Sequence, residues 1–136
     1  MSRIDSVVKQ LKDRRDRVLK GLYNCLPFPF PRFRMIFPGI EKGKFIVITA
    51  NQKIGKSKLS DYLFVYEPLF FTLQHPEIKV KVIYFTLEVS PNEKYYEFLC
   101  YLLFKLDNII ISTTELKSTD KALDSKILDL IESPKY

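Results

Sequence analysis

Phe45-Ile46-Val47-Ile48-Thr49-Ala50-Asn51-Gln52-Lys53-Ile54-Gly55-Lys56-Ser57 decides how this chain is read. Residues 45–49 form an apolar, β-prone run, and the loop behind it ends in Gly-Lys-Ser at the start of a helical pattern. Strand, loop, Gly-Lys-Ser and helix is the layout of a phosphate-binding P-loop, with Ala50 where that pattern usually has its first glycine. A short loop turning into a helix aims successive backbone N–H groups, and the positive end of the helix dipole, at one point. Lys56 would reach the outer phosphates of a nucleotide, and the Ser57 hydroxyl would ligate the Mg2+ that accompanies them. Gly55 suits its position because a Cβ would obstruct the approach of backbone to phosphate. The candidate nucleotide site is therefore Ala50, Asn51, Gln52, Lys53, Ile54, Gly55, Lys56 and Ser57. The competing reading is a chance Gly-Lys-Ser in an ordinary loop, helped by the bulk of Lys53 and Ile54 in a loop interior without glycine. The apolar run before the loop and the helical pattern after it favour the phosphate site.

A chain of 136 residues gives room for one modest domain. With 46% hydrophobic and 28% charged residues, its bulk is expected to be globular rather than disordered. No apolar run approaches the roughly 18 residues of a membrane-spanning helix, so no membrane is expected among its partners. Met1-Ser2-Arg3-Ile4-Asp5 lacks a signal-peptide core. Cys25 and Cys100 stand far apart, which suggests neither a disulfide framework nor a metal site. His75 reads as a solvent-facing turn residue. A reducing cytoplasm fits these features best. The net charge of +6 is uneven: residues 1–44 hold 11 Lys/Arg against 4 Asp/Glu, and every arginine lies before residue 35. Such asymmetry marks either an anionic partner, nucleic acid included, or a solvated helix face with inter-subunit salt bridges.

Residues 1–22 read as a basic amphipathic helix, with Ser2 as its cap and Gly21 as its stop. Ile4, Val7, Val8 and Leu11 recur at helical spacing, and Val18, Leu19 and Leu22 resume the stripe. That stripe has nothing in its own segment to cover it, so it is expected to dock on the core or on a neighbouring subunit. Residues 23–44 form a linker and lead-in. In Leu26-Pro27-Phe28-Pro29-Phe30-Pro31-Arg32-Phe33 the alternating prolines predict a stiff, extended path pinned by its phenylalanines. Base stacking by those rings beside Arg32 and Arg34 is the alternative to simple packing.

From residue 45 to 136 an α/β core is expected. The helix after the P-loop should bury Leu59, Leu63 and Tyr66 and stop at Glu67-Pro68, because the residue before proline disfavours helical geometry. Residues 79–87 read as a second strand, apolar enough in its later half to be central and parallel. Glu88 follows directly, at the carboxyl end where open parallel sheets bind ligands, so it is a candidate general base for a water aimed at the terminal phosphate. The plain alternative is a solvated loop carboxylate. Ser90-Pro91-Asn92-Glu93 predicts a capping box opening a buried helix to about Leu106. Residues 108–112 suggest a short third strand, and Ser118 the cap of a last helix carrying Leu123, Ile127, Leu130 and Ile131.

Strand–P-loop–helix, then a strand ending in Phe85-Thr86-Leu87-Glu88-Val89-Ser90, then a capped helix, resembles the ATPase domain of DnaB-type, RecA-like replicative helicases, phage-encoded ones in particular. In that family a Phe-Ser-Leu-Glu-Met-Ser-like stretch follows the Walker A strand and carries the catalytic glutamate, which the resemblance places on Glu88. The lead-in Phe37-Pro38-Gly39-Ile40-Glu41-Lys42-Gly43-Lys44 is similar to the Pro-Gly-Ile loop of those proteins. The first helix is similar to their linker helix, which docks on the adjacent subunit of a hexameric ring. The resemblance implies ATP with Mg2+, catalysis through Lys56 and Glu88, a homo-oligomeric ring, single-stranded DNA as partner, and the host cytoplasm for a phage-encoded chain. The family's Walker B strand, DNA-binding loops and arginine finger would lie further along. Ile127-Leu128-Asp129-Leu130 keeps helical spacing and is not read as Walker B.

The expectation is thus a partial RecA-like α/β core, a parallel sheet with flanking helices, forming the front portion of a helicase or a truncated relative that keeps the pocket without the motor. A non-catalytic assembly or nucleic-acid-binding module with a vestigial P-loop is the alternative. A small-molecule kinase would need an arginine-rich lid after the second strand, and no arginine occurs there.

Overall fold

The computed structural model describes residues 3–136, about half of them helical. Two compact units make up the chain, one ending at Val80 and the other running Lys81–Tyr136.

The first unit opens with α1 (Arg3–Leu19). Its end is a Schellman turn: Gly21, at φ +73°, donates to the Val18 carbonyl, and Leu22 donates to that of Arg17 at 2.9 Å. The expected Ser2 cap lies outside the described residues. No residue of α1 is buried, so its apolar stripe is uncovered. Polar contacts tie down its C-terminal half. Arg17 donates to the Tyr23 carbonyl at 2.8 Å, Asn24 donates to the Arg14 carbonyl at 2.8 Å, and Arg14 pairs with Glu41 at 3.3 Å.

The proline-rich segment is not extended throughout. Leu26–Pro27 (β1) pairs antiparallel with Gly39–Ile40 (β2), in register Leu26 to Ile40, and Phe28 donates to the Pro38 carbonyl at 3.2 Å. Between them Pro31 starts a single helical turn, α2 (Pro31–Arg34), where its missing N–H costs nothing. The prolines therefore fold this segment back on itself.

After the P-loop, α3 (Lys56–Asp61) runs without a break through a π-helical turn (Tyr62–Tyr66) into α4 (Glu67–Gln74). The expected stop at Glu67-Pro68 is absent. A proline inside a helix lacks one donor and presses on the carbonyl four residues back. Here the wider turn absorbs it, with the Glu67 N–H bonding the Tyr62 carbonyl five residues back. Leu63, Tyr66 and Pro68 are buried with Phe28, whereas Leu59 is exposed. His75 is not a free turn residue: its ring lies 4.3 Å from that of Phe71 and 5.1 Å from that of Tyr23.

In the second unit α5 (Pro91–Asp107) carries the buried Leu102 and Leu103, and α6 (Thr113–Leu116) packs on it with Leu116 buried. The other sides of α5 are less covered than expected, since Tyr95 and Phe104 are exposed. Ser90 caps α5 by accepting from the Glu93 N–H. The reciprocal half of the expected capping box is replaced, because the Glu93 carboxylate takes both its bonds from Lys117, at 2.9 and 3.1 Å. The complete capping box belongs to Ser112 and Glu115 at the start of α6, where a third strand was expected to end. The last helix, α7 (Ser125–Ile131), is capped by Asp124 rather than Ser118, whose hydroxyl accepts from the Leu123 N–H instead. Residues 127–130 are helical within α7.

The parallel sheet is the largest departure from expectation. Among the described residues the one sheet is the antiparallel pair β1–β2. Residues 45–49 and 79–87 carry no ladder hydrogen bonds, and 108–112 form no third strand. A continuously apolar strand is stable only with both faces covered. Phe45 is 91% exposed and Phe85 90% exposed, so neither run has that cover.

Candidate functional site

The loop 50–57 connects the uncovered run 45–49 to the opening turn of α3. Gly55 is the N-cap at φ +87°, a left-handed backbone that glycine adopts without a Cβ penalty. Lys53 is also left-handed, at φ +61°, which is uncommon for a residue with a side chain. Two reversals within three residues turn the chain sharply into the helix. The first helical bond runs from the Leu59 N–H to the Gly55 carbonyl at 3.0 Å. The amides of Lys56 and Ser57 precede it, so no helical carbonyl lies behind them, and they face out from the positive end of the helix.

Lys56 curls back over the loop, its Nζ donating to the Ala50 carbonyl at 3.4 Å. That long, exposed contact spans the loop mouth from one end to the other. Ala50, Asn51, Gln52, Lys53, Ile54, Gly55, Lys56 and Ser57 are all exposed. A phosphate group offered to this mouth would meet main-chain donors, an ammonium and the Ser57 hydroxyl, with no carboxylate in the loop to oppose it. The donor set fits a nucleotide phosphate chain with Mg2+: amides and Lys56 for the oxygens, Ser57 for the metal.

Glu88 belongs to the other unit. It sits in a tight turn closed by the Val89 N–H donating to Thr86 Oγ1 at 3.2 Å, immediately before the Ser90 cap of α5. Its carboxylate is exposed and makes no hydrogen bond or ion pair among the described residues. Lys56 and Ser57 are thus brought to one mouth, while Glu88 is held on a separate turn.

A set of aromatic side chains, only partly visible in sequence, occupies the rest of the first unit. The Phe28 ring lies 5.8 Å from Phe64, edge on, and 5.3 Å from Phe33, which in turn lies 5.5 Å from Phe37. Phe30 meets Tyr62 at 5.6 Å. The hydroxyl of Tyr62 is pushed up to about 12, chiefly by desolvation and then by its hydrogen bond to the Glu67 carboxylate. Proline–phenylalanine alternation at 27–31 was the one sequence signal for this set; the partners Phe64 and Tyr62 come from the helix beyond the P-loop. No helix among the described residues is long and apolar enough to cross a membrane. No protein-family model, curated protein or solved structure matches this chain.

Proposed function

We propose that residues 50–57 bind the phosphates of ATP with Mg2+, and that the chain is the nucleotide-binding part of a DnaB-like, RecA-type helicase working as a homo-oligomeric ring on single-stranded DNA. The observation that carries the nucleotide reading is the loop itself. Left-handed Lys53 and Gly55 turn it onto a helix start, and the Lys56 ammonium lies across its mouth. The helicase reading rests on the resemblance of residues 37–57 and 84–90, with α1 as the helix offered to a neighbouring subunit. In this reading Lys56 neutralises phosphate charge, Ser57 ligates the metal, and Glu88 orients or deprotonates the attacking water.

A second reading has its own observation. Residues 45–49 and 79–87, which a RecA-type core would use as central strands, are unpaired and largely exposed. A binding module with a vestigial loop has no need of that sheet.

Binding of ATP–Mg2+ by the whole chain, compared with Lys56→Ala, separates the two. A charge-assisted contact to phosphate contributes enough that its loss should weaken binding about 10- to 100-fold. Glu88→Gln should keep binding and slow hydrolysis. Equal loss of both would remove Glu88 from the role of base. Wild-type protein that binds no nucleotide would leave the module reading.

A further inference from the structure

The aromatic rings of the first unit form a ladder that climbs from the core to the surface. Phe28 is 4% exposed, Phe33 39% and Phe37 57%, each ring within 5.5 Å of the next. The rings continue outward, and Phe30, Met35 and Ile36 are exposed beside them. Arg32 and Arg34 project from the same short turn, α2. Both are exposed, and neither forms an ion pair among the described residues, in contrast to Arg14, which Glu41 engages at 3.3 Å. The segment from Phe28 to Ile40 contains no acidic residue.

Partly exposed rings interleaved with guanidinium groups free of ion pairs match unpaired bases on a phosphodiester backbone. Bases stack on rings irrespective of sequence, while arginines follow the phosphates. An interfacial lipid surface also takes rings and arginines, but through apolar area rather than a π-face, so Phe37→Leu would spare it where base stacking is lost. The ladder is also held in place before any ligand arrives. Phe28 is anchored in the core by Phe64, and β1–β2 closes the loop that carries Phe30, Phe33 and Phe37.

We propose that Phe33 and Phe37, with Arg32 and Arg34, form a stacking platform for single-stranded nucleic acid on this unit, apart from the P-loop. The platform gives the single-strand partner of the helicase reading a place on this chain, and to that extent rests on it. It does not depend on nucleotide binding.

The test is anisotropy of a labelled oligothymidylate of about 16 nucleotides with the whole chain, without nucleotide and over a range of salt. Wild type should bind it more tightly than a duplex of equal length, whose bases are already stacked. Phe37→Leu should weaken binding about 5- to 150-fold, the value of one base–ring stack. Phe37→Tyr, which keeps the π-face, should stay near wild type. Arg32→Gln with Arg34→Gln should flatten the slope of log affinity on log salt by about 1.4, two phosphate contacts at about 0.7 each. A matched oligouridylate run in parallel identifies DNA or RNA as the preferred strand, and binding of either supports the platform. No binding by wild type, equal binding by Phe37→Leu and Phe37→Tyr, or a salt slope unmoved by the arginine changes would overturn it. ATP–Mg2+ binding measured on the same proteins keeps the two proposals apart. Nucleotide binding without ring-dependent oligonucleotide binding rejects the platform alone. Ring-dependent binding in a chain that ignores ATP rejects the P-loop reading alone.

Discussion

Gly39 is the position at which one methyl group should do the most damage. An added Cβ there would lie 2.0 Å from the Leu26 carbonyl oxygen and 2.9 Å from the Pro27 Cα, both backbone atoms of the paired strand. Side chains can swing aside from such a collision, but a two-residue ribbon can only part. To restore ordinary contact the Leu26 carbonyl must retreat from 2.0 Å to 3.4 Å or more. That shift would also break the neighbouring Phe28-to-Pro38 bond, already at 3.2 Å. Forced overpacking costs about 1–3 kcal/mol, and each backbone hydrogen bond lost adds about 1 kcal/mol, so Gly39→Ala should lose about 2–4 kcal/mol. In a chain of this length that lowers Tm by on the order of 10 °C. The chain has no tryptophan and eight tyrosines, so urea or thermal unfolding is followed by tyrosine fluorescence or by calorimetry. Because β1–β2 closes the loop carrying Phe33 and Phe37, the same substitution should also weaken oligonucleotide binding. A Gly39→Ala protein that melts within a degree or two of wild type would refute the close approach, and with it the ribbon.

Two titrations probe other contacts. The raised Tyr62 value, set first by desolvation and then by the hydrogen bond to Glu67, means that the neutral phenol favours the folded state below pH 10, and that this contribution fades as pH rises from 10 towards about 12. The stability gap between wild type and Tyr62→Phe should therefore be full at pH 9 and close near pH 12, in urea unfolding at each pH; a gap that persists would reject the raised value of Tyr62. Asp107 is held below the usual 3.8 by hydrogen bonds first from Lys135, at 2.5 Å, and then from the Tyr136 hydroxyl. Its contribution is present above pH 3.8 and lost as pH falls through the lowered value, so Asp107→Asn should destabilise at pH 7 and become indistinguishable from wild type in strong acid.

What the sequence made legible was local. Gly21 ends α1, Ser90 caps α5 with Pro91 behind it, and Ile127–Leu130 is helical, because each is settled by residues within one or two turns. The same locality misled at Pro68. A breaker judged against an α-helix ignores the option of a wider turn, which the structure takes at Tyr62–Tyr66. Capping depended on competition: Glu93 fitted the box, but Lys117, from beyond α6, offered its carboxylate a stronger partner. Ser118 and Asp124 could each cap in principle, and the chain between them decided for Asp124. In the candidate site the order Gly-Lys-Ser announced the loop, while left-handed Lys53 had no signature, since lysine has no preference for that backbone.

Strand formation marks where local inference stops. A helix bonds within itself, so periodicity and caps nearly suffice; a strand takes its hydrogen bonds and its cover from elsewhere. Residues 45–49 and 79–87 have the composition of buried strands and the surroundings of solvent, with Phe45 exposed at the start of one and Leu87 at the end of the other. For a phosphate-binding loop this matters mechanically. Such a loop works by holding amides in fixed positions against a charged ligand, and fixed amides need rigid elements on both sides. On one side α3 and α4 form a long rod capped by Gly55. On the other side lies a segment whose backbone bonds to no neighbouring strand. If the loop binds nucleotide as proposed, its affinity would be limited by the run 45–49 rather than by Lys56 or Ser57. The stacking platform has no such weakness, since Phe28 is locked in the core and β1–β2 pins both ends of its loop. Of the two recognition surfaces proposed on this unit, the rings are the better preorganised.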